Sequence, residues 1–162
     1  MKYDVFISYS RKDYTVVQKI CEMFKASNIS YWLDKKDINA GGEFLGDIVD
    51  AIKNSKITLF ISSASSNTSI YTAKEIALAF NEGKYIIPYK IDGSAFNKKL
   101  EFVLCDLNWV ESIPFDEEKA LSLVANIYML IISRLQNTVS DSDFMANSYW
   151  LQYPLKINTL HN

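Results

Sequence analysis

The chain has 162 residues, enough for one domain with a single core, and its 49% apolar and 22% charged residues are those of an ordinary globular protein. A net charge of −2, with scattered basic residues, leaves no electrostatic footprint for nucleic acid or an anionic membrane surface. Two cysteines, Cys21 and Cys105, cannot form a disulfide framework and point to a reducing compartment.

Tyr3 to Ser10 reads as a strand with a continuous apolar centre, as expected of a strand buried on both faces. Asp13 is placed to cap the next helix, where Val17, Ile20, Cys21 and Phe24 recur at helical spacing until Asn28 stops it. Ile29 to Asp34 is a second short strand, and the polar, glycine-bearing stretch from Lys35 to Glu43 predicts a mobile loop. Leu45, Ile48, Val49 and Ile52 mark a second helix, and Ile57 to Ser62 is a third strand. A serine-rich loop, Ser62 to Ser69, leads to a third helix. Its predicted core face is Ala73, Ile76, Ala77 and Phe80, with Gly83 as its terminator. Tyr85 to Ile91 is a fourth strand interrupted by Pro88, Asp92-Gly93 is a turn, and Asn108 to Ile113 is a fifth strand. Leu121, Val124, Ala125, Tyr128, Ile131 and Ile132 form the stripe of a final helix.

No pattern of a signal peptide opens the chain, and the longest apolar run, Ala120 to Ile132, is too short to span a bilayer. A cytoplasmic protein, or the cytoplasmic module of a larger one, is expected. Residues 1–135 read as the domain. From Gln136 to Asn162 the pattern breaks into a polar linker, Ser140 to Asp143, and an aromatic cluster around Tyr149, Trp150 and Tyr153. That tail either packs back on the domain or leads to another module.

Strand–helix alternation implies an α/β fold, a flavodoxin-like five-stranded parallel sheet of order 2-1-3-4-5 with helices on both faces. Ligands in such sheets bind beyond the carboxyl ends of the strands. Those ends carry Ser8 to Arg11, Asp34 to Phe44 and Ser62 to Glu75. Conventional catalytic equipment is missing. The only histidine is His161, no Cys/His cluster has zinc spacing, and neither a dinucleotide fingerprint nor a phosphate loop is present. A phosphoacceptor domain of this topology would need an aspartate where the chain has Ser62-Ser63.

The run Asp4 to Ser10, DVFISYS, resembles the first box of Toll/interleukin-1 receptor (TIR) domains. Asp34 to Phe44, DKKDINAGGEF, resembles their second signature. Ser69 to Glu75 resembles the aromatic-x-x-x-Glu element of the bacterial and axonal TIR enzymes that cleave NAD, and Pro88 also suits the family. Together these boxes extend over residues 3 to 134. The resemblance implies either a scaffold that assembles signalling complexes or an enzyme that hydrolyses or cyclises NAD.

In the enzymes the catalytic glutamate lies where Glu75 lies, and the aromatic that stacks on nicotinamide lies where Tyr71 lies, a position often held by Trp. Ser8, Tyr9, Ser10 and Arg11, with Asp34, Ile38, Gly42 and Phe44 from the loop, would line the substrate pocket. NAD is then the substrate, and no metal or other cofactor is implied. Self-association would activate the enzyme by helping to order the loop. A fused or separate sensor or effector module, and a setting in bacterial antiphage signalling, are implied by the same analogy.

The residue types suit this chemistry. Nicotinamide leaves as a neutral base, and a carboxylate stabilises the ribosyl cation left behind. Tyr71 and Glu75, one helical turn apart, share a helix side and are expected to project away from the core. The ordinary alternative for Glu75 is a solvated glutamate, although position 79 is Ala and offers no basic partner at i+4. A nucleoside-processing glycosyl transferase would also use such a carboxylate.

Overall fold

The structure, a computed structural model, describes residues 2–33 and 43–135. The expected tail from 136 onward, and the loop residues Asp34, Ile38 and Gly42, lie outside the described residues.

Five strands, β1 (Tyr3–Ser8), β2 (Tyr31–Leu33), β3 (Ser55–Ser62), β4 (Tyr85–Lys90) and β5 (Val110–Glu111), form one sheet of order β2-β1-β3-β4-β5. Every pairing in it is parallel. This is the order expected from the alternating pattern. Six helices accompany the sheet among the described residues: α1 (Tyr14–Ala26), α2 (Glu43–Lys53), α3 (Ala64–Asn67), α4 (Ile70–Asn81), α5 (Lys98–Leu104) and α6 (Glu117–Leu135).

Because successive strand residues point to opposite faces, register decides which helix each residue meets. Val5 pairs with Ile57 and Ile7 with Leu59, and these pack with Val17, Ile20 and Phe24 of α1 and Leu123, Ile127 and Leu130 of α6. The other face carries Phe6, Phe60 and Ile86 against Ile48 and Ile52 of α2, Ile76 and Ala79 of α4, and Leu100 and Leu104 of α5. Two helices stop where the sequence says they should. Asn28 and Gly83 take φ of 54° and 61°, which lets Ile29 N–H reach Phe24 O at 2.9 Å and Lys84 N–H reach Ala79 O at 2.9 Å.

Several local expectations are corrected. The side chain of Asp13 makes no cap; the Ser10 hydroxyl accepts from Lys12 N–H at 3.4 Å and opens a 3-10 turn, Arg11–Asp13, ahead of α1. The core face of α4 is Thr72, Ile76 and Ala79, while Phe80 is 53% exposed. The helix lies between α2 and α5, so its apolar residues are spread over its flanks as well as its base, and a single stripe misreads them. The same rotation appears in α6, where Leu121 and Tyr128 are exposed and Ala120, Leu123, Ile127 and Leu130 are buried. Short α3 and α5 were not foreseen. Pro88 is tolerated within β4 because β5 pairs only with Tyr89 and Lys90, beyond the position of the missing N–H.

At the amino edge of the sheet, Asp4 ties three strands together. Its Oδ2 accepts from Ser30 N–H at 2.9 Å and the Ser30 hydroxyl at 2.5 Å, and its Oδ1 accepts from Lys56 Nζ at 2.6 Å. Burial pushes this carboxyl up, but the hydrogen bonds from Lys56 and Ser30, with the Lys56 charge, outweigh burial and hold it below 3.8. A depressed folded value means that the contribution is complete above the unfolded value and is lost on acidification. Replacing Asp4 by Ala is therefore expected to lower unfolding free energy by about 2 kcal/mol at neutral pH. The difference from wild type should shrink as the pH falls below 3.8. Urea melts across that range measure both.

Candidate active site

β1 is paired on both sides, with β2 and with β3, so its carboxyl end is a rigid platform. Ser8, its last residue, is two positions after Phe6 and shares that residue's face, under α4. Ser8 is completely buried. Helix α4 starts cleanly because the Ser69 side chain accepts from Thr72 N–H at 3.2 Å. At about 100° per residue, its base on the sheet is Thr72, Ile76 and Ala79, and two different flanks remain.

Tyr71, Glu75 and Glu82 occupy one flank. Glu82 reaches Lys53 of α2 at 3.8 Å, which shows that this flank faces α2. Ile70, Ala73 and Ala77 occupy the other flank and, with Lys98 and Phe102 of α5, line a cleft of about 830 Å³. This cleft lies on the opposite flank of α4 from Glu75.

Ser8 Oγ donates to Glu75 Oε2 at 2.7 Å, within the range of a strong hydrogen bond to a carboxylate. Glu75 is half-buried rather than projecting into solvent, which corrects the helix-phase expectation. Tyr71, one turn earlier, is 52% exposed on the same flank. The remaining box residues divide. The Tyr9 ring packs with the apolar group on the α1/α6 face. Ser10 is half-buried and caps the 3-10 turn, and Arg11 is exposed. Phe44 is the second residue of α2. Of the described site residues read from the sequence, Ser8, Tyr71 and Glu75 lie on one side of the sheet, and Ser8 and Glu75 are joined by a hydrogen bond.

Sequence reasoning missed a polar network beside this site. Ser63 caps α3 in a capping box with Ser66, and its hydroxyl donates to Asp13 Oδ2 at 2.6 Å. Ala64 N–H donates to Asp92 Oδ2 at 2.8 Å, and the Asn67 amide donates to Ser94 Oγ at 2.9 Å. The Ser-x-x-Ser spacing of Ser63 and Ser66 was the available signal. Burial pushes the Asp13 carboxyl above 3.8, with the charge of Asp92 adding to it, against the opposing Ser63 hydrogen bond and Lys12. Burial also pushes Asp92 up, but the Ser94 and Ala64 hydrogen bonds and the Lys90 charge bring it below 3.8. The carboxyl ends of β1, β3 and β4 are thereby joined by carboxylates and serines.

A family model described as TIR domain matches residues 5–124. A search of curated protein sequences finds no match. Among solved structures, the TIR domain of the Toll-related receptor TRR-2 from Hydra magnipapillata is similar at a TM-score of 0.59 and 20% identity, over 82% of this chain and 96% of that one. A metazoan TIR-STING receptor from C. gigas, in complex with 2',3'-cGAMP, is similar at 0.59 and 21% identity, over 78% of this chain and 38% of the receptor. The Clostridium botulinum CMP N-glycosidase BcmB is similar at 0.56 and 16% identity, over 75% of this chain and 98% of that one. At these identities the likeness is one of fold.

The raised Asp13 value has a consequence opposite in sign to that of Asp4. A carboxyl raised on folding stabilises fully below its unfolded value, and that contribution is lost as the pH rises through the folded value. Asp13→Asn keeps an acceptor for the Ser63 hydroxyl and removes the buried charge. It is expected to leave the melting temperature at neutral pH unchanged or higher. Ser63→Ala, which removes the cap of α3, is expected to cost about 1–2 kcal/mol. Thermal melts of the two variants side by side check the contrast.

Proposed function

The chain belongs to the TIR-domain family, and we propose that it is a member that breaks the bond between nicotinamide and ribose in NAD. The observation that carries this reading is the half-buried Glu75 carboxylate, held at the carboxyl end of β1 by Ser8. This is the edge at which sheets of this kind bind ligands. The CMP N-glycosidase shares the fold, so cleavage of a base–ribose bond has a precedent on this scaffold. A domain that only assembles complexes has no evident need for a carboxylate fixed by a buried hydroxyl.

The reaction follows from the charges. The electron pair of the C–N bond leaves with the pyridinium, which departs as neutral nicotinamide, and the ribosyl carbon becomes cationic. A carboxylate at ~4 Å, at an effective dielectric of about 20, stabilises that cation by roughly 4 kcal/mol. Expressed in the transition state, that is about three decades in rate. Water attacking the same carbon gives ADP-ribose and releases a proton, whereas attack by an atom of the adenosine gives a cyclic ADP-ribose. Tyr71 stands one turn from Glu75 on the same flank and is exposed enough to stack on the departing ring. Arg11 is exposed and suits the pyrophosphate.

Asp34, Ile38, Gly42 and Phe44 complete the pocket in this reading, with NAD as substrate and no further cofactor. Activity depends on self-association of the domain. The setting is cytoplasmic antiphage signalling, beside a sensor or effector module. Among the described residues, no helix is long and apolar enough to cross a membrane.

Glu75→Gln is expected to reduce nicotinamide release by about a thousandfold in concentrated protein while leaving the circular dichroism spectrum and melting temperature close to wild type. Tyr71→Ala is expected to raise KM for NAD several-fold, and Tyr71→Trp to lower it. Chromatography of NAD incubations at several protein concentrations reads all three variants and shows the dependence on assembly. Equal turnover by Glu75→Gln and wild type would end the enzymatic reading.

A further inference from the structure

We propose that Ser8 is a positioning residue that holds the Glu75 carboxylate in its working orientation and does not itself contact substrate. This rests on the reading of Glu75 as the group that faces the ribose. Ser8 has no exposed surface, so no ligand reaches it. Its one hydroxyl proton is committed to Glu75 Oε2 at 2.7 Å.

The contact lies in largely apolar surroundings. Ser8 pairs with Phe60 across β1 and β3, on the face shared with Phe6, Ile76 and Ala79. These neighbours are apolar side chains, and Ser8 itself has no exposed surface. The two partners also come from rigid elements. β1 is paired on both sides, and α4 is anchored on the sheet by fully buried Ile76 and Ala79. One carboxylate oxygen is therefore tied to the backbone frame of the sheet, which fixes the tilt of the whole carboxylate. Small misplacements of a reacting group cost up to about a hundredfold in rate, so such a tie acts on turnover more than on binding. The strand signature accordingly carries a small hydroxyl residue at its last position, where continuing the apolar run would leave the carboxylate without this donor.

The test compares Ser8→Ala, Ser8→Cys and Ser8→Thr with wild type in the full chain. Turnover of NAD should follow the order wild type and Thr, then Cys, then Ala, with Ala about tenfold or more below wild type and KM within twofold. The second readout does not need activity. The carboxyl ¹³C signal of Glu75, titrated by NMR, should move to higher pH in Ala, and less far in Cys, because the donor that favours the ionised form is removed in the first and weakened in the second. Unchanged kcat in Ser8→Ala, in an enzyme that turns over, overturns the inference, and so does an unmoved Glu75 titration. If Ser8→Thr is too crowded to fold, the Cys and Ala variants carry the same comparison. If no protein releases nicotinamide at any concentration, the NAD reading fails by itself, and the titration alone still decides whether Ser8 holds Glu75.

Discussion

The hydrogen bond from Ser8 to Glu75 joins the two most constrained parts of the molecule. On one side is the end of the strand with neighbours on both edges. On the other is a helix pressed onto the sheet by Ile76 and Ala79. Neither element creates the site alone. The alternation of strand side chains sends Ser8 beneath α4 and Tyr9 to the opposite face, and the pitch of α4 places Glu75 on the flank toward α2. A slip of one residue in β1 would exchange Ser8 and Tyr9 and leave the carboxylate facing an aromatic ring. The register pairing Val5 with Ile57 and Ile7 with Leu59 is therefore as much a condition of this contact as of the core.

The two edges of the sheet use their carboxylates differently. At the amino edge, Asp4 is met by a lysine and a serine and gains more from them than it loses to burial. At the carboxyl edge, Asp13 receives one hydroxyl and lies within the field of Asp92, and burial prevails. The first arrangement stabilises the fold at neutral pH. The second gives some of that stability up where loops, caps and a candidate substrate edge converge. This division agrees with the general tendency of functional edges to hold polar groups that a core would reject.

The fold was legible because its signals were local and repeated. Buried parallel strands read as apolar runs, and Asn28 and Gly83 announced left-handed helix ends that the backbone adopts. The helix phases were less legible. In α4 and α6 the apolar residues outnumber the positions that touch the sheet, and the surplus is distributed on flanks that only the neighbouring helices define. Phe80 and Leu121 were misplaced for that reason. Of the site, the pair Tyr71 and Glu75 was read through its resemblance to the aromatic-x-x-x-Glu element, since its spacing alone suits a solvated helix face equally. The contact of Ser8 with Glu75 joins residues 67 positions apart, and no window on the chain contains both. The Ser63, Asp13 and Asp92 network escaped for the same reason: each residue looked like an ordinary cap or turn.

The choice of substrate turns on how the base leaves. A pyridinium already carries the positive charge that breaking the bond will neutralise, so its departure asks for a carboxylate to receive the new cation and for no proton donor. A neutral pyrimidine leaves as an anion unless it is protonated, and its site must therefore supply an acid as well. The only histidine of this chain is His161, far in sequence from both boxes. The Glu75 carboxylate accepts a hydrogen bond from Ser8. Under the proposed reading, a site built on a carboxylate with no acid beside it would suit a dinucleotide with a cationic base better than a nucleoside monophosphate such as that of the CMP N-glycosidase, which shares the fold. Under that reading, Glu75 of α4, tied to the end of β1, would supply the counter-charge for the sugar and exposed Tyr71 the ring for the base.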